Sequence, residues 1–134
     1  MAEPKIKIIS TGIGRRKSAI ASVRLISGNG EISVNDKPAS DYFPGEHAKI
    51  RYTSPFTATS LSKYSVTAKV HGGGINGQLD ALVLGISRAL SLLKTENKHQ
   101  LRSAGLLTRD ARERQRRMVG MGGKSRRRKQ SPKR

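Results

Sequence analysis

The last quarter of this chain has nothing to fold around. Thirteen of its 27 Lys and Arg residues fall in the final 34 positions, where only Asp110 and Glu113 oppose them. Like charges at that density repel one another and offer little apolar surface to bury. Gln115-Arg116-Arg117, Lys124-Ser125-Arg126-Arg127-Arg128-Lys129 and Lys133-Arg134 make a cationic filament that takes shape only where phosphates neutralise it. A core must therefore come from roughly the first 100 residues, a length that hides about two thirds of its unfolded surface. The expected division is a globular α+β domain over 1–104 and an extended basic tail over 105–134.

The charge excess is not confined to the tail. Net charge is +18 over 134 residues, and the first 100 residues alone hold twice as many basic as acidic side chains. Such a chain releases counterions when it meets a phosphate backbone, which makes nucleic acid the leading partner. A polybasic membrane anchor needs an apolar helix face or a lipid beside the charge, and neither flanks this tail. No cysteine is present, so disulfides, zinc knuckles and thiol catalysis are excluded. Met1 to Ile9 lacks the apolar stretch of a signal peptide, and no segment reaches transmembrane length. A soluble protein of the cytosol or an organellar equivalent is expected.

Ala19, Ala21, Val23 and Leu25 alternate with Ile20, Ser22, Arg24 and Ile26, the two-residue period of a half-buried strand. With Gly28-Asn29-Gly30 as turn and Ile32 and Val34 resuming the alternation, residues 18–35 read as an antiparallel hairpin. Short helices are expected at about 38–43 and 46–53, with Ser54-Pro55 as a break. Val66, Ala68 and Val70 mark another strand, and 72–77 a glycine loop. Leu79, Leu82, Val83, Ile86, Leu90 and Leu93 then fall at spacings of three and four, one apolar stripe of a helix. Gly85 and Ala89 beside that stripe would let the helix approach a sheet closely, giving a small sheet with packed helices. A further short helix is expected at about 96–103, before Gly105.

Two motifs imitate nucleotide sites. Gly72-x-Gly74-x-x-Gly77 between a strand and a helix copies a dinucleotide fingerprint, but that site needs a parallel strand after the helix, with an acid at its end. Here Glu96 follows the helix directly. The glycines Gly72, Gly73 and Gly74 read as a tight turn whose exposed helix amides could also receive an RNA phosphate. Thr11 to Ser18 ends like a P-loop in Lys-Ser, yet positions 11 and 16 hold Thr and Arg where glycines are required. Arg15, Arg16 and Lys17 remain as phosphate candidates on a turn before the first strand.

Catalysis finds no local constellation. His47, His71 and His99 are far apart, carboxylates are few, and no paired histidines suggest a metal, so neither an enzyme nor a cofactor or small-molecule site is expected. Five aromatic residues, none in an alternating strand run, argue for binding through RNA backbone and shape rather than stacking. Arg109, Arg112 and Arg116 recur at three and four and would share one side of a turn or helix capped by Thr108, with Asp110 or Glu113 orienting their neighbours. Those arginines, with Arg117, Lys124, Arg126, Arg127, Arg128 and Lys129, form the expected contact set for an irregular, rRNA-like phosphate surface. A free-standing DNA-compacting protein and a nucleotide-binding enzyme are the rival readings.

The motifs Thr11-Gly12-Ile13-Gly14-Arg15-Arg16-Lys17-Ser18-Ala19, Asp41-Tyr42-Phe43, Val70-His71-Gly72-Gly73-Gly74-Ile75-Asn76-Gly77-Gln78, Gly85-Ile86-Ser87-Arg88-Ala89-Leu90 and Leu107-Thr108-Arg109-Asp110-Ala111-Arg112, with Gly28-Asn29-Gly30 and a terminal Lys133-Arg134, run in order over nearly the whole chain. Together they resemble the bacterial-type small ribosomal subunit protein nine family. The resemblance implies an α+β domain with a left-handed β-α-β crossover, seated on small-subunit ribosomal RNA in the head among neighbouring ribosomal proteins. It implies a tail reaching peptidyl-site tRNA, with Lys133 and Arg134 near the anticodon stem-loop, in a bacterial or plastid ribosome. The family tail commonly carries Pro-Gln-aromatic-Ser-Lys-Arg; Gln130-Ser131-Pro132-Lys133-Arg134 lacks the aromatic and shifts the proline, so no stacking role is carried over.

Overall fold

The computed structural model describes residues 6–120 and is an α+β sandwich, a five-stranded mixed sheet with helices on one face. Strands β1 (Ile8–Arg16), β2 (Ala19–Ser27), β3 (Ile32–Val34) and β4 (Lys37–Pro38) are followed by helices α1 (Ala39–Tyr42) and α2 (Glu46–Thr59). Strand β5 (Tyr64–His71) then leads into α3 (Ile75–Ser91) and α4 (Thr95–Ser103). The sheet order is β1-β2-β5-β3-β4.

That order overturns the hairpin expected over 18–35. Strand β5 lies between β2 and β3, antiparallel to the first and parallel to the second, so the alternation on either side of Gly28-Asn29-Gly30 belongs to two separated strands. The tight hairpins lie elsewhere. Lys17-Ser18 joins β1 to β2, with Lys17 at φ 53°, and Asn35-Asp36 joins β3 to β4 with both residues at positive φ, as two-residue turns require of their leading positions. Asn35 also extends the parallel ladder with its side chain: Nδ2 donates to the Val70 carbonyl and Oδ1 accepts from the Val70 amide, both at 2.9 Å.

Strand β1 was not expected, because its inward positions are Ser10, Gly12, Gly14 and Arg16 rather than large apolar residues. The reason is α3, which lies directly on it. A Cβ built on Gly14 would stand 1.8 Å from the Ala81 carbonyl oxygen, and one on Gly12 2.3 Å from that of Gly85. From the other side, a Cβ on Gly85 would meet Val23 Cγ2 at 2.7 Å. The close approach expected from Gly85 and Ala89 is thus a backbone-to-backbone contact. Ser10 Oγ donates to the Ala89 carbonyl at 2.8 Å, and Arg88 Nη1 to the Ile13 carbonyl at 2.7 Å.

The stripe of α3 supplies the core: Leu79, Leu82, Val83, Ile86 and Leu90 are buried together with Val23, Leu25, Val34, Phe43, Val66 and Leu101. Burial extends around most of α3, since α2 and α4 cover the side away from the sheet. Helix α2 runs through Ser54-Pro55 instead of stopping there. Pro55 has no amide for the Arg51 carbonyl, and Ser54 Oγ lies 2.8 Å from that oxygen and from the Ile50 carbonyl, so the helix continues. Helix α4 ends as expected before Gly105, at φ 74°, where the Leu106 amide donates back to the Leu101 carbonyl. Beyond α3 there is no strand among the described residues, only α4 and an irregular segment, so the dinucleotide architecture is absent.

Replacing Gly14 by Ala forces α3 off β1, and overpacking of this kind costs about 1–3 kcal/mol or more. Thermal unfolding of the full chain followed by circular dichroism should show G14A melting lower by at least about 4–8 °C.

Candidate nucleic-acid interface

The alternating geometry of β1 separates the three adjacent cations that the sequence placed on one turn. Arg15 points to the open side of the sheet and is exposed, Arg16 turns inward beneath the helices, and Lys17 occupies the exposed hairpin turn. Inside, Arg16 is spent on protein partners. Its Nε lies 3.5 Å from Asp80 Oδ2 on α3, its Nη2 3.3 Å from Asp110 Oδ2, and its Nη1 donates to the Arg112 carbonyl at 2.9 Å. Arg51 of α2 pairs with the other oxygen of Asp80. Only 14% of the Arg16 side chain remains exposed, so its guanidinium ties together two layers of the fold and the segment that follows α4.

Asp110 is the hub for that segment. Arg112 grips it through Nε and Nη2, the latter at 2.7 Å from Oδ2, while the Arg112 amide donates to Oδ1 at 3.0 Å. These hydrogen bonds, with the charges of Arg112 and Arg16, hold the Asp110 carboxyl well below the usual carboxylate range, and the same side-chain hydrogen bonds, with the Asp110 charge, raise Arg112. The expectation that an acid orients neighbouring arginines is met by Asp110. Of the turn or helix on which Arg109, Arg112 and Arg116 would share one side, the helix is absent: residues 106–120 form none, and Thr108 caps none. The reason is that residues 105–112 are pulled flat onto the domain. Leu106 and Leu107 pack against the core, and Arg15, Arg16, Arg51, Asp80, Leu106, Thr108 and Asp110 line a cleft of about 170 Å³. Arg109 is half-buried, its Nε without a hydrogen-bond partner among the described residues.

Gly72, Gly73 and Gly74 converge on the same end of the sheet as Lys17. Gly72 and Gly73 adopt φ 77° and 61°, where side chains are strained, and a Cβ on Gly72 would meet the Ser18 carbonyl at 2.6 Å. Their smallness is thus required by the turn and by the β1–β2 hairpin beneath it. Gly74 begins α3 with no side-chain cap, and Ile75 and Asn76 are exposed, leaving the first amides of a 17-residue helix open to solvent. Gln78 braces the loop: Nε2 donates to the Gly72 carbonyl at 3.0 Å, and Oε1 accepts from the Tyr42 hydroxyl at 2.8 Å. Lys17 and Ser18 share an open groove of about 430 Å³ with Glu113 and Arg114 of the departing segment.

Sequence reasoning missed Arg51 and Asp80. Asp80 was legible only as a position off the apolar stripe, although it is the sole acid of α3. Arg116 and Arg117 lie past the docked segment and are exposed. Lys124, Arg126, Arg127, Arg128, Lys129, Lys133 and Arg134 lie outside the described residues. Among the described residues no group of His, Asp and Glu could hold a metal ion, and no helix is long and apolar enough to cross a membrane.

The sequence pattern of the family described as Ribosomal protein S9/S16 matches residues 14–134. The small ribosomal subunit protein uS9 of Crocosphaera subtropica is 44% identical over 123 residues, spanning 89% of this chain and 88% of that protein. The uS9 of Solidesulfovibrio magneticus is 46% identical over 113 residues, covering 84% and 87% of the two chains. The small ribosomal subunit protein uS9c of Mesostigma viride is 42% identical over 113 residues and 82% of each.

Because the folded Asp110 carboxyl sits below its unfolded value, its contribution is fully present above about pH 5 and fades as pH falls through and below about 4. At neutral pH, D110N should raise amide hydrogen exchange across residues 108–112 and leave β2 and β5 unchanged; in the unsubstituted chain the same loosening should appear only on acidification.

Proposed function

The chain belongs to the Ribosomal protein S9/S16 family, and from that premise we propose that its domain seats on ribosomal RNA in the head of the small subunit while its tail reaches the anticodon stem-loop of peptidyl-site tRNA. As a member it is a structural constituent of the small ribosomal subunit and not an enzyme, a ribosomal protein of the bacterial and plastid type. It assembles with ribosomal RNA and other ribosomal proteins. Within this reading the chain divides its labour. Residues 1–104 act as the anchor, and residues 105–134 as the extended cationic arm.

One observation supports this reading above the others. The docked segment 105–112 brings the chain back to the end of the sheet that carries Lys17 and the open start of α3, and Arg114 lies in the same groove as Lys17. Phosphates approaching that end would meet helix amides and cations together. Arg15, Lys17 and the Gly72–Gly74 amides serve as domain contacts, and Arg109, Arg112, Arg116 and Arg117 as contacts along the root of the arm. Arg16, held inside, acts by fixing the root. Lys124, Arg126, Arg127, Arg128 and Lys129 continue the ribosomal-RNA path, and Lys133 and Arg134 meet the tRNA. Phosphate contacts of this kind orient without reading sequence, so selectivity lies in the shape of the folded RNA.

Deleting residues 130–134 should weaken peptidyl-site tRNA binding by reconstituted small subunits in a filter-binding assay, with the protein still incorporated at normal stoichiometry. Unchanged tRNA affinity would remove the tail's role. R109Q/R112Q should instead lose to the unsubstituted chain when the two compete for incorporation into subunits, by about thirtyfold if each of the two phosphate contacts contributes near 1 kcal/mol.

A further inference from the structure

The side of the sheet away from the helices carries one kind of charge only. None of β1, β2, β3 and β5 contains Asp or Glu; the acid that comes first beyond them is Glu31, at the rim before β3. Pairing across the strands sets their outward side chains in rows. Thr11, Arg24, Thr67 and Ser33 form one, Ile13, Ser22 and Lys69 the next, and Arg15, Ile20 and His71 a third. Each row holds one permanent cation on a different strand. Successive rows are about 7 Å apart and neighbouring strands about 4.8 Å apart, so Arg15, Arg24 and Lys69 are spread over the face rather than bunched. All three are exposed, as are Ser22 and His71, and Ile13 is 52% exposed between them.

We infer that this open sheet face is a second docking surface for ribosomal RNA, distinct from the end of the sheet that carries Lys17 and the arm. The inference rests on the ribosomal-RNA-binding reading above and adds Arg24, Lys69 and His71 to the residues that meet RNA. Sheets left open on one side are ordinarily polar with both signs of charge interspersed. Here the acids have been kept off four strands in succession, a pattern that suits a polyanion and would leave a protein partner of ordinary composition with unmatched cations. The hydroxyls of Thr11, Ser22, Ser33 and Thr67 lie among the cations as short donors for phosphate or ribose oxygens. No aromatic side chain faces outward on these strands, since Tyr64 lies on the inward register with Val66 and packs against the core. The face therefore takes RNA by backbone and groove shape, not by stacked bases. The isoleucines Ile13 and Ile20 give it dry, flat ground between charges.

The absence of cysteine from the chain allows one thiol to be placed at the centre of the face as S22C and loaded with an iron chelate that generates hydroxyl radicals. In small subunits reconstituted with the full-length protein, strand scission of the ribosomal RNA should localise around the tether, absent with the cysteine-free chain. R24Q/K69Q should lower the salt dependence of ribosomal-RNA binding by about two in the slope of log affinity against log salt, with an unchanged melting temperature. Incorporated S22C protein that yields no RNA cleavage, or cleaves only a protein neighbour, overturns the inference, as does an unaltered salt slope in R24Q/K69Q. If the unsubstituted chain itself neither binds the RNA nor enters subunits, the failure belongs to the ribosomal-RNA-binding reading on which the inference stands.

Discussion

Everything in this fold depends on α3 lying on β1 with no side chains between the two backbones. Gly12 and Gly14 on the strand and Gly85 on the helix remove the Cβ atoms that would hold the layers apart. Close-packed interiors forfeit dispersion energy steeply with even small gaps. A helix this near the sheet can present Leu82, Ile86 and Leu90 to β2 and β5 as well as to its helical neighbours, which is how about 100 residues with few aromatics assemble a single core. The polar bonds from Ser10 and Arg88 fix the helix along the strand, and Arg88 also occupies a carbonyl on the sheet's outermost strand, where an unpaired edge would otherwise invite another chain.

The same contact decides where charge goes. With α3 set down on β1, Asp80 stands over the end of that strand, where Arg16 faces inward and Arg51 arrives from α2. Asp110 completes the group from the segment after α4. Two of the few acids in a chain of +18 are thereby used as fasteners, each shared between arginines. Arg16 is largely withdrawn from solvent, and that partial exclusion of water and salt strengthens its pairs relative to exposed ones. Arg15, Arg24 and Lys69, by contrast, stand exposed on strands that carry no acid.

How much of this could be read from the sequence follows from what side chains record and what they do not. The period of Leu79 to Leu90 specified α3 because buried apolar side chains leave a count along the chain. Strand β1 left no such count, since its inward positions are glycine, serine and arginine, and glycine at a contact looks in sequence like glycine in a turn. The pairing of β2 was misread for a related reason. Gly28-Asn29-Gly30 satisfies the local requirements of a hairpin, but burial of Val66, Ala68 and Val70 on both flanks is worth more, and β5 takes the place between β2 and β3. The two-residue turns were Lys17-Ser18 and Asn35-Asp36, the second with both residues at positive φ. In the arm, the spacing of Arg109, Arg112 and Arg116 suggested one side of a turn or helix, but no helix forms where Leu106 and Leu107 pack on the core and Arg16 draws Asp110 onto the domain.

Ionic strength divides the two electrostatic systems. The fasteners are short, geometrically fixed and, at Arg16, sheltered, so moderate salt leaves the anchor and the root of the arm in place. In the proposed reading the outward set acts by releasing condensed counterions from RNA, and that free energy falls with the logarithm of salt concentration for every phosphate engaged. An intact fold and a weakened hold on RNA are therefore the expected state of this chain at high salt. The root at Asp110 is fixed by the protein's own groups, Arg16 and Arg112, so the path of residues 108–112 is set without RNA.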